Sequence, residues 1–298
     1  MSIGKYLLQF YLIKIEKEHH MKSVKSMTKI SVYGATGFIG GTFCEMFADE
    51  VIPIPREERQ PQSKEILYLI STTTNHNMLS DLTLDVRTNL NVLMETLEYC
   101  KEKDLVFNYV STGFVYGPDI LYSKEDDPCD PRGFYSITKR TAEQMIVSFC
   151  KVYDVKYRIL RIASVYGQDK TISAKKNVLG FLIELMRHDE VVTLYNHGKD
   201  LRDYMHVSDI CRALKLVIDK GELNSIYNIA SGVALPFSDI IEKCKKFLGS
   251  SSEILSMDTP KFNRLVQAKN YALNADKLKK LGFKPEINLD AGLQSLCK

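Results

Sequence analysis

The stretch from Lys29 to Gly40 constrains this chain more than any other. Lys29 to Tyr33 is a short run of strand type. Gly34-Ala35-Thr36-Gly37-Phe38-Ile39-Gly40 follows without a spacer, and a helical run then continues through Phe47. A strand that feeds straight into a glycine turn and a helix start directs backbone N–H groups, and the positive end of the helix dipole, at one spot. A pyrophosphate suits that spot. Gly34 permits the turn, Gly37 lets phosphates approach the backbone, and Gly40 lets the helix pack closely on the strand. The expected contacts to a dinucleotide are Gly34, Thr36, Gly37, Phe38, Ile39 and Gly40.

The rest of the chain alternates strands and helices, the pattern of a doubly wound parallel α/β sheet. Val51-Ile52-Pro53-Ile54-Pro55 is the second strand. Its prolines stand two apart, so both missing N–H donors lie on one side, which a strand tolerates only at a sheet edge. Only the polar linker 56–64 separates it from the next strand, 65–71, where a full dinucleotide-binding unit would place a helix and a third strand. The adenosine half is therefore expected to be shortened. Pro55-Arg56 stands where an acidic residue would grip the ribose. Arg56 suits a 2′-phosphate and NADP; Glu57 or Glu58 suits a ribose and NAD. The loop 71–75, with Thr72, is placed to line the cofactor cleft. Val86, Leu90, Leu93, Leu97 and Cys100 recur at helical spacing, and strands follow at 105–110 and 156–165.

Tyr135 and Lys139 stand four apart ahead of Ala142, Met145, Ile146 and Phe149. On a helix the two side chains share a face. A lysine ammonium favours the phenolate and draws the tyrosine pKa down from about 10. Such a tyrosine can exchange a hydroxyl proton while a hydride leaves the same carbon. Ser111-Thr112-Gly113 closes the preceding strand, where open α/β sheets bind ligands.

Composition excludes other classes. The 298 residues are 45% hydrophobic and 26% charged with a net charge of +3, without a basic run interleaved with aromatics, so nucleic acid is not an expected partner. The seven scattered cysteines form neither a CxxC nor a histidine cluster, which fits a cytoplasmic, reduced protein without a bound metal. Residues 3–15 are apolar but too short and too interrupted by Lys5, Gln9 and Lys14 to span a membrane. Residues 1–26 are expected to be a disordered or loosely attached extension, with Met21 or Met27 as alternative starts.

Seven motifs occur in order: GATGFIG at Gly34, STGFVYG at Ser111, YSITK at Tyr135, LRIASVYG at Leu160, RDYMHVSD at Arg202, YNIASG at Tyr227 and LNADKLKKLGFKP at Leu273. Together they resemble the extended short-chain dehydrogenase/reductase family, in its nucleotide-sugar epimerase/dehydratase branch. The resemblance implies a Rossmann domain over residues 27–170 and a mostly C-terminal substrate domain over 171–298. A segment around 203–232 would return to the Rossmann core. It implies NAD or NADP as cofactor and a nucleotide-diphosphate sugar as substrate. It implies Thr112 as the hydroxyl that holds the reacting sugar oxygen, Tyr135 as acid/base, and Lys139 as its partner and a ribose contact. Arg202 matches an arginine that contacts the nucleotide diphosphate, with an ion pair to Asp203 as the alternative. Arg264 would be a second phosphate contact and Ser164 a substrate contact. It also implies a homodimer through the helices around 86–100 and 142–152.

Departures from the family sort the activities. Dehydratases carry Asp-Glu after the threonine; here Gly113-Phe114 stand there, against water elimination. Ser164 replaces a common asparagine, and no cysteine lies in the strand-end segment, Cys129 falling later. The remaining set supports a nucleotide-sugar 4-epimerase first and an NADPH-dependent 4-keto-sugar reductase second. A non-catalytic NAD(P) sensor, suggested by the shortened adenosine half, is third.

Overall fold

The computed structural model describes residues 29–118, 121–168 and 177–298; the expected extension over 1–26 lies outside them. Six strands are β1 (Ile30–Tyr33), β2 (Val51–Pro53), β3 (Glu65–Tyr68), β4 (Val106–Thr112), β5 (Lys156–Ile162) and β6 (Ser225–Ile229). The main helices are α1 (Phe38–Met46), α2 (Val92–Glu98), α3 (Phe134–Tyr153), α4 (Val178–Arg187), α5 (Val207–Lys220), α6 (Phe237–Leu248) and α7 (Leu289–Cys297). The strands form one sheet in the order β6-β5-β4-β3-β1-β2, and every pairing is parallel. All carboxyl ends therefore share one rim. The strand order reverses between β1 and β3, the switch point where open α/β sheets bind ligands.

Period-two alternation explains why both faces are covered. Val32 and Leu67 point to the face packed by α1 and α5, with Phe43, Ile210, Leu214 and Val217. Ile66, Tyr68, Phe107 and Tyr109 point to the other face, with Leu93 and Leu97 from α2 and Ala142 and Ile146 from α3. The segment from α5 to β6 rejoins the main sheet, β6 pairing with β5. A third apolar cluster joins α4, α6 and α7 through Leu182, Ile183, Ile240, Ile241 and Leu293.

β2 is the sheet edge, as its prolines require. Ile54, the residue between them, donates its N–H to the Val32 carbonyl at 2.9 Å, so both proline nitrogens face away from β1. Among the described residues no third strand lies beyond it, so this half of the sheet is short.

Three local expectations are adjusted. β3 ends at Tyr68 rather than at Ser71, and β5 ends at Ile162; Ser164–Tyr166 pairs separately with Tyr204–His206. The helix expected over 86–100 contains a π turn, Arg87–Asn91, between the short helix Leu84–Val86 and α2. The wide turn buries Asp85 and Asn89 and leaves Val86 exposed, so polar residues occupy part of the stripe read as apolar. Among the described residues no helix is long and apolar enough to cross a membrane.

Candidate functional site

The site forms where the rim of the sheet meets the start of α3. Thr112 is the last residue of β4, and its Oγ1 accepts the Phe114 N–H at 3.3 Å, closing a tight turn. Gly133, at φ +81°, turns the chain into α3; a Cβ there would stand 2.5 Å from the Asn75 side chain. Tyr135 therefore lies in the first turn of α3, where Thr112 is near enough to act on its phenol. Lys139, one turn on, is buried. Its Nζ donates to the Val110 carbonyl at 2.6 Å and lies 4.2 Å from the centre of the Tyr109 ring.

The electrostatics differ from the expectation that Lys139 lowers the Tyr135 pKa. Burial pushes Tyr135 up to about 12; the nearby Thr112 hydroxyl opposes this and Asp85 adds to it. Burial draws Lys139 down to about 7, against the pull of Glu143. The lysine is engaged by a backbone carbonyl and a ring, and the groups that shift the phenol are burial, Thr112 and Asp85.

Behind the pair lies a buried ionic cluster. Glu143 is fully buried and accepts from Arg161 Nε at 3.1 Å and Nη2 at 2.9 Å, from Ser111 Oγ at 2.5 Å and from Arg140 at 2.7 Å. Two arginines and a hydroxyl satisfy one carboxylate, so α3 is pinned to β4 and β5 beside Lys139.

The glycine turn fits a dinucleotide. Gly34 has φ +80°, Gly37 N–H donates to Gly34 O at 3.0 Å, and a Cβ on Gly40 would collide with the Gly34 carbonyl. Gly37 caps α1 without a side-chain hydrogen bond, and both Thr36 and Gly37 are exposed at the turn. Phe38 and Ile39 are half-buried in the first turn of α1. Across the crevice, Thr72 Oγ1 donates to Asp85 at 2.5 Å and its N–H to Asn89 Oδ1 at 2.8 Å; Asn89 donates on to Thr138 of α3 at 2.9 Å. The loop after β3 is thus tied to the same helix as Tyr135.

The remaining predicted residues are more dispersed. Arg56 is exposed beyond the edge strand. Ser164 is half-buried, with its N–H bonded to Asp203 O at 3.1 Å. Arg202 does not pair with Asp203: it donates to the carbonyls of Leu201 and Lys269 and faces Asp200 at 3.6 Å. Asp203 is buried and receives Ser231 and Gly232 instead. Arg264 is exposed on the helix Lys261–Val266 and donates to Thr259 O at 2.8 Å. That helix is tethered to the site by Asn75, which donates to Val266 O at 2.9 Å. Sequence reasoning missed Asp85 and the Glu143–Arg161 pair. The signal for Asp85 was a charged residue beside an apolar helical repeat.

The model of the NAD-dependent epimerase/dehydratase family matches residues 65–230, more than half of the chain. The chain belongs to that family. Its members are NAD(P)-dependent enzymes of the extended short-chain dehydrogenase/reductase type, so NAD or NADP is the cofactor. A low-salt glycan biosynthesis protein of Haloferax volcanii is 30% identical over 213 residues, 70% of this chain and 66% of that relative. The match thus spans about two thirds of the relative's own length. The dTDP-4-dehydro-6-deoxyglucose reductase of Escherichia coli is 25% identical over 238 residues, 79% of this chain and 74% of that enzyme. The fold matches that of a Thermotoga maritima UDP-glucose 4-epimerase with a TM-score of 0.80, at 23% identity, covering 90% of this chain and 97% of that one.

Proposed function

We propose that this family member is a nucleotide-sugar 4-epimerase of the cytoplasm, acting as a homodimer on a nucleotide-diphosphate sugar. The observation that supports this best is the placement of Thr112, at the end of β4, beside Tyr135 and one helical turn from the buried Lys139, with Gly113 and Phe114 where dehydratases hold carboxylates. A bound nicotinamide would supply reversible hydride transfer at the sugar carbinol carbon. Tyr135 takes the hydroxyl proton in the first half and returns it in the second, while Thr112 Oγ1 holds the sugar oxygen. Gly34, Thr36, Gly37, Phe38, Ile39 and Gly40 would hold the pyrophosphate, and Thr72 and Lys139 would hold the nicotinamide half. Ser164 contacts the sugar, Arg202 and Arg264 the diphosphate, and Arg56 the adenosine end. In this reading residues 27–170 bind the cofactor, and most of 171–298 closes over the sugar nucleotide.

A second reading has its own support. Tyr135 is held protonated by burial, which suits an acid that protonates a ketone oxygen as a hydride arrives. With the similarity to the E. coli reductase, this favours an NADPH-dependent 4-keto-sugar reductase. Mass identification of any cofactor released from the purified protein separates the two, followed by a panel of UDP- and dTDP-sugars with and without NADPH. Retained NAD with inversion and no net NADPH use supports the epimerase. Stoichiometric NADPH oxidation supports the reductase. Full conversion by Tyr135→Phe would overturn both.

A further inference from the structure

The helix that carries Tyr135 is capped from a distance. The first N–H groups of a helix lack partners within it, and the side chain just before the helix usually supplies one. Here that residue is Gly133, which has none to offer. The short helix Asn75–Leu79 supplies the partners instead. Ser136 N–H donates to Asn75 Oδ1 at 3.4 Å, and Phe134 N–H donates to Met78 Sδ at 3.4 Å.

The other end of the same carboxamide reaches across the site. Asn75 Nδ2 donates to the Val266 carbonyl at 2.9 Å and to Ser136 Oγ at 3.3 Å. Val266 closes the helix Lys261–Val266, which bears Arg264. The Phe262 ring of that helix also meets His76, with centroids 5.4 Å apart. Ser136 and Val266 border one small pocket together with Phe114, Arg132 and Gln267. Asn75 is buried, and its two ends are not interchangeable: turned over, the amide would set its oxygen against the Val266 carbonyl.

We propose that Asn75 is a positioning residue that couples the helix Lys261–Val266 to the first turn of α3, so that a displacement of that helix is felt at Tyr135. The inference rests on the reading of Tyr135 as the reacting group and of the Arg264 helix as part of the substrate side. An ordinary cap needs only the oxygen. The amide nitrogen, engaged by Val266, is what makes the joint.

Asn75→Asp separates the two tasks. A carboxylate caps a helix start as well as a carboxamide does, and the helix dipole favours it. It has no proton for the Val266 carbonyl. Amide hydrogen exchange followed by mass spectrometry reads both sides of the joint. In Asn75→Asp the amides of 263–268 should exchange about fivefold faster, the worth of one hydrogen bond, while those of 134–138 keep their protection. Leu265→Gly loosens the same helix from its solvent face, where Leu265 is 56% exposed. In the otherwise native chain it should speed exchange in 134–138 as well; in the Asn75→Asp background it should leave them unchanged. Asn75→Ala lacks both contacts, should also break the link, and serves if the aspartate variant folds poorly. Exchange in 134–138 that ignores Leu265→Gly in the otherwise native chain, or that responds equally without the Asn75 amide, would overturn the inference. The exchange needs no substrate, so absent turnover counts only against the proposed function. Where a UDP-sugar is turned over, Asn75→Asp should lower kcat about tenfold, which a side chain that merely caps α3 would not do.

Discussion

Tyr135 and Lys139 lie four residues apart, and the helix that puts them on one face was legible from the sequence. Their protonation was not, because it depends on burial that only the folded packing supplies. Tyr135→Phe should cut turnover by about 10²–10⁴-fold while leaving the melting temperature close to wild type, checked by kinetics and calorimetry. Lys139 gives a pH signature with a definite sign. Its pKa falls from 10.5 to about 7 on folding, so the unfolded chain binds the extra proton between those values. Its cost to stability is full below about pH 7 and fades as the pH rises toward 10.5. Lys139→Met should therefore raise the melting temperature most at pH 6–7, with the gain shrinking at higher pH. The same variant should lose activity. A gain that grows with pH would show that the ammonium is not buried as described.

Elements were legible where period and glycine agreed. β1, the turn and α1 follow the expected bounds within a residue or two, because Gly34 and Gly40 leave the backbone little choice. Gly40→Ala should push α1 off the turn and weaken NADH binding at least tenfold by fluorescence titration, with a smaller loss of stability. The helix before α2 was misread because its buried face is polar: Asp85 and Asn89 hold the loop of Thr72, which a hydrophobic repeat cannot announce. The ionic link between α3 and β5 escaped for a similar reason, since its members are far apart in sequence. Arg161→Ala should destabilise by about 3 kcal/mol in denaturant unfolding by leaving the buried Glu143 with only Arg140 and Ser111 as partners. Replacing Arg161 and Glu143 together with Met and Leu should recover most of that loss.

For the molecule as a whole, the sequence gives a helical face suited to self-association, and the structure leaves apolar side chains on it. Ile137, Met145 and Val152 lie along one stripe of α3 and are exposed, Val152 to 71%; Val86 and Tyr99 are exposed on the neighbouring helical segment. A second copy related by a twofold axis would cover them. Light scattering should report twice the chain mass. Met145→Glu with Val152→Glu should give a folded monomer. The opposite flank of the molecule behaves differently. The two imino acids on the outer strand present no amide hydrogens to a newcomer, so an extended peptide cannot zip onto that border. Association through backbone ladders, the route to fibres, is closed there. Pro53→Val with Pro55→Val should reopen it, seen as thioflavin-positive aggregates under mild heating that the wild type does not form.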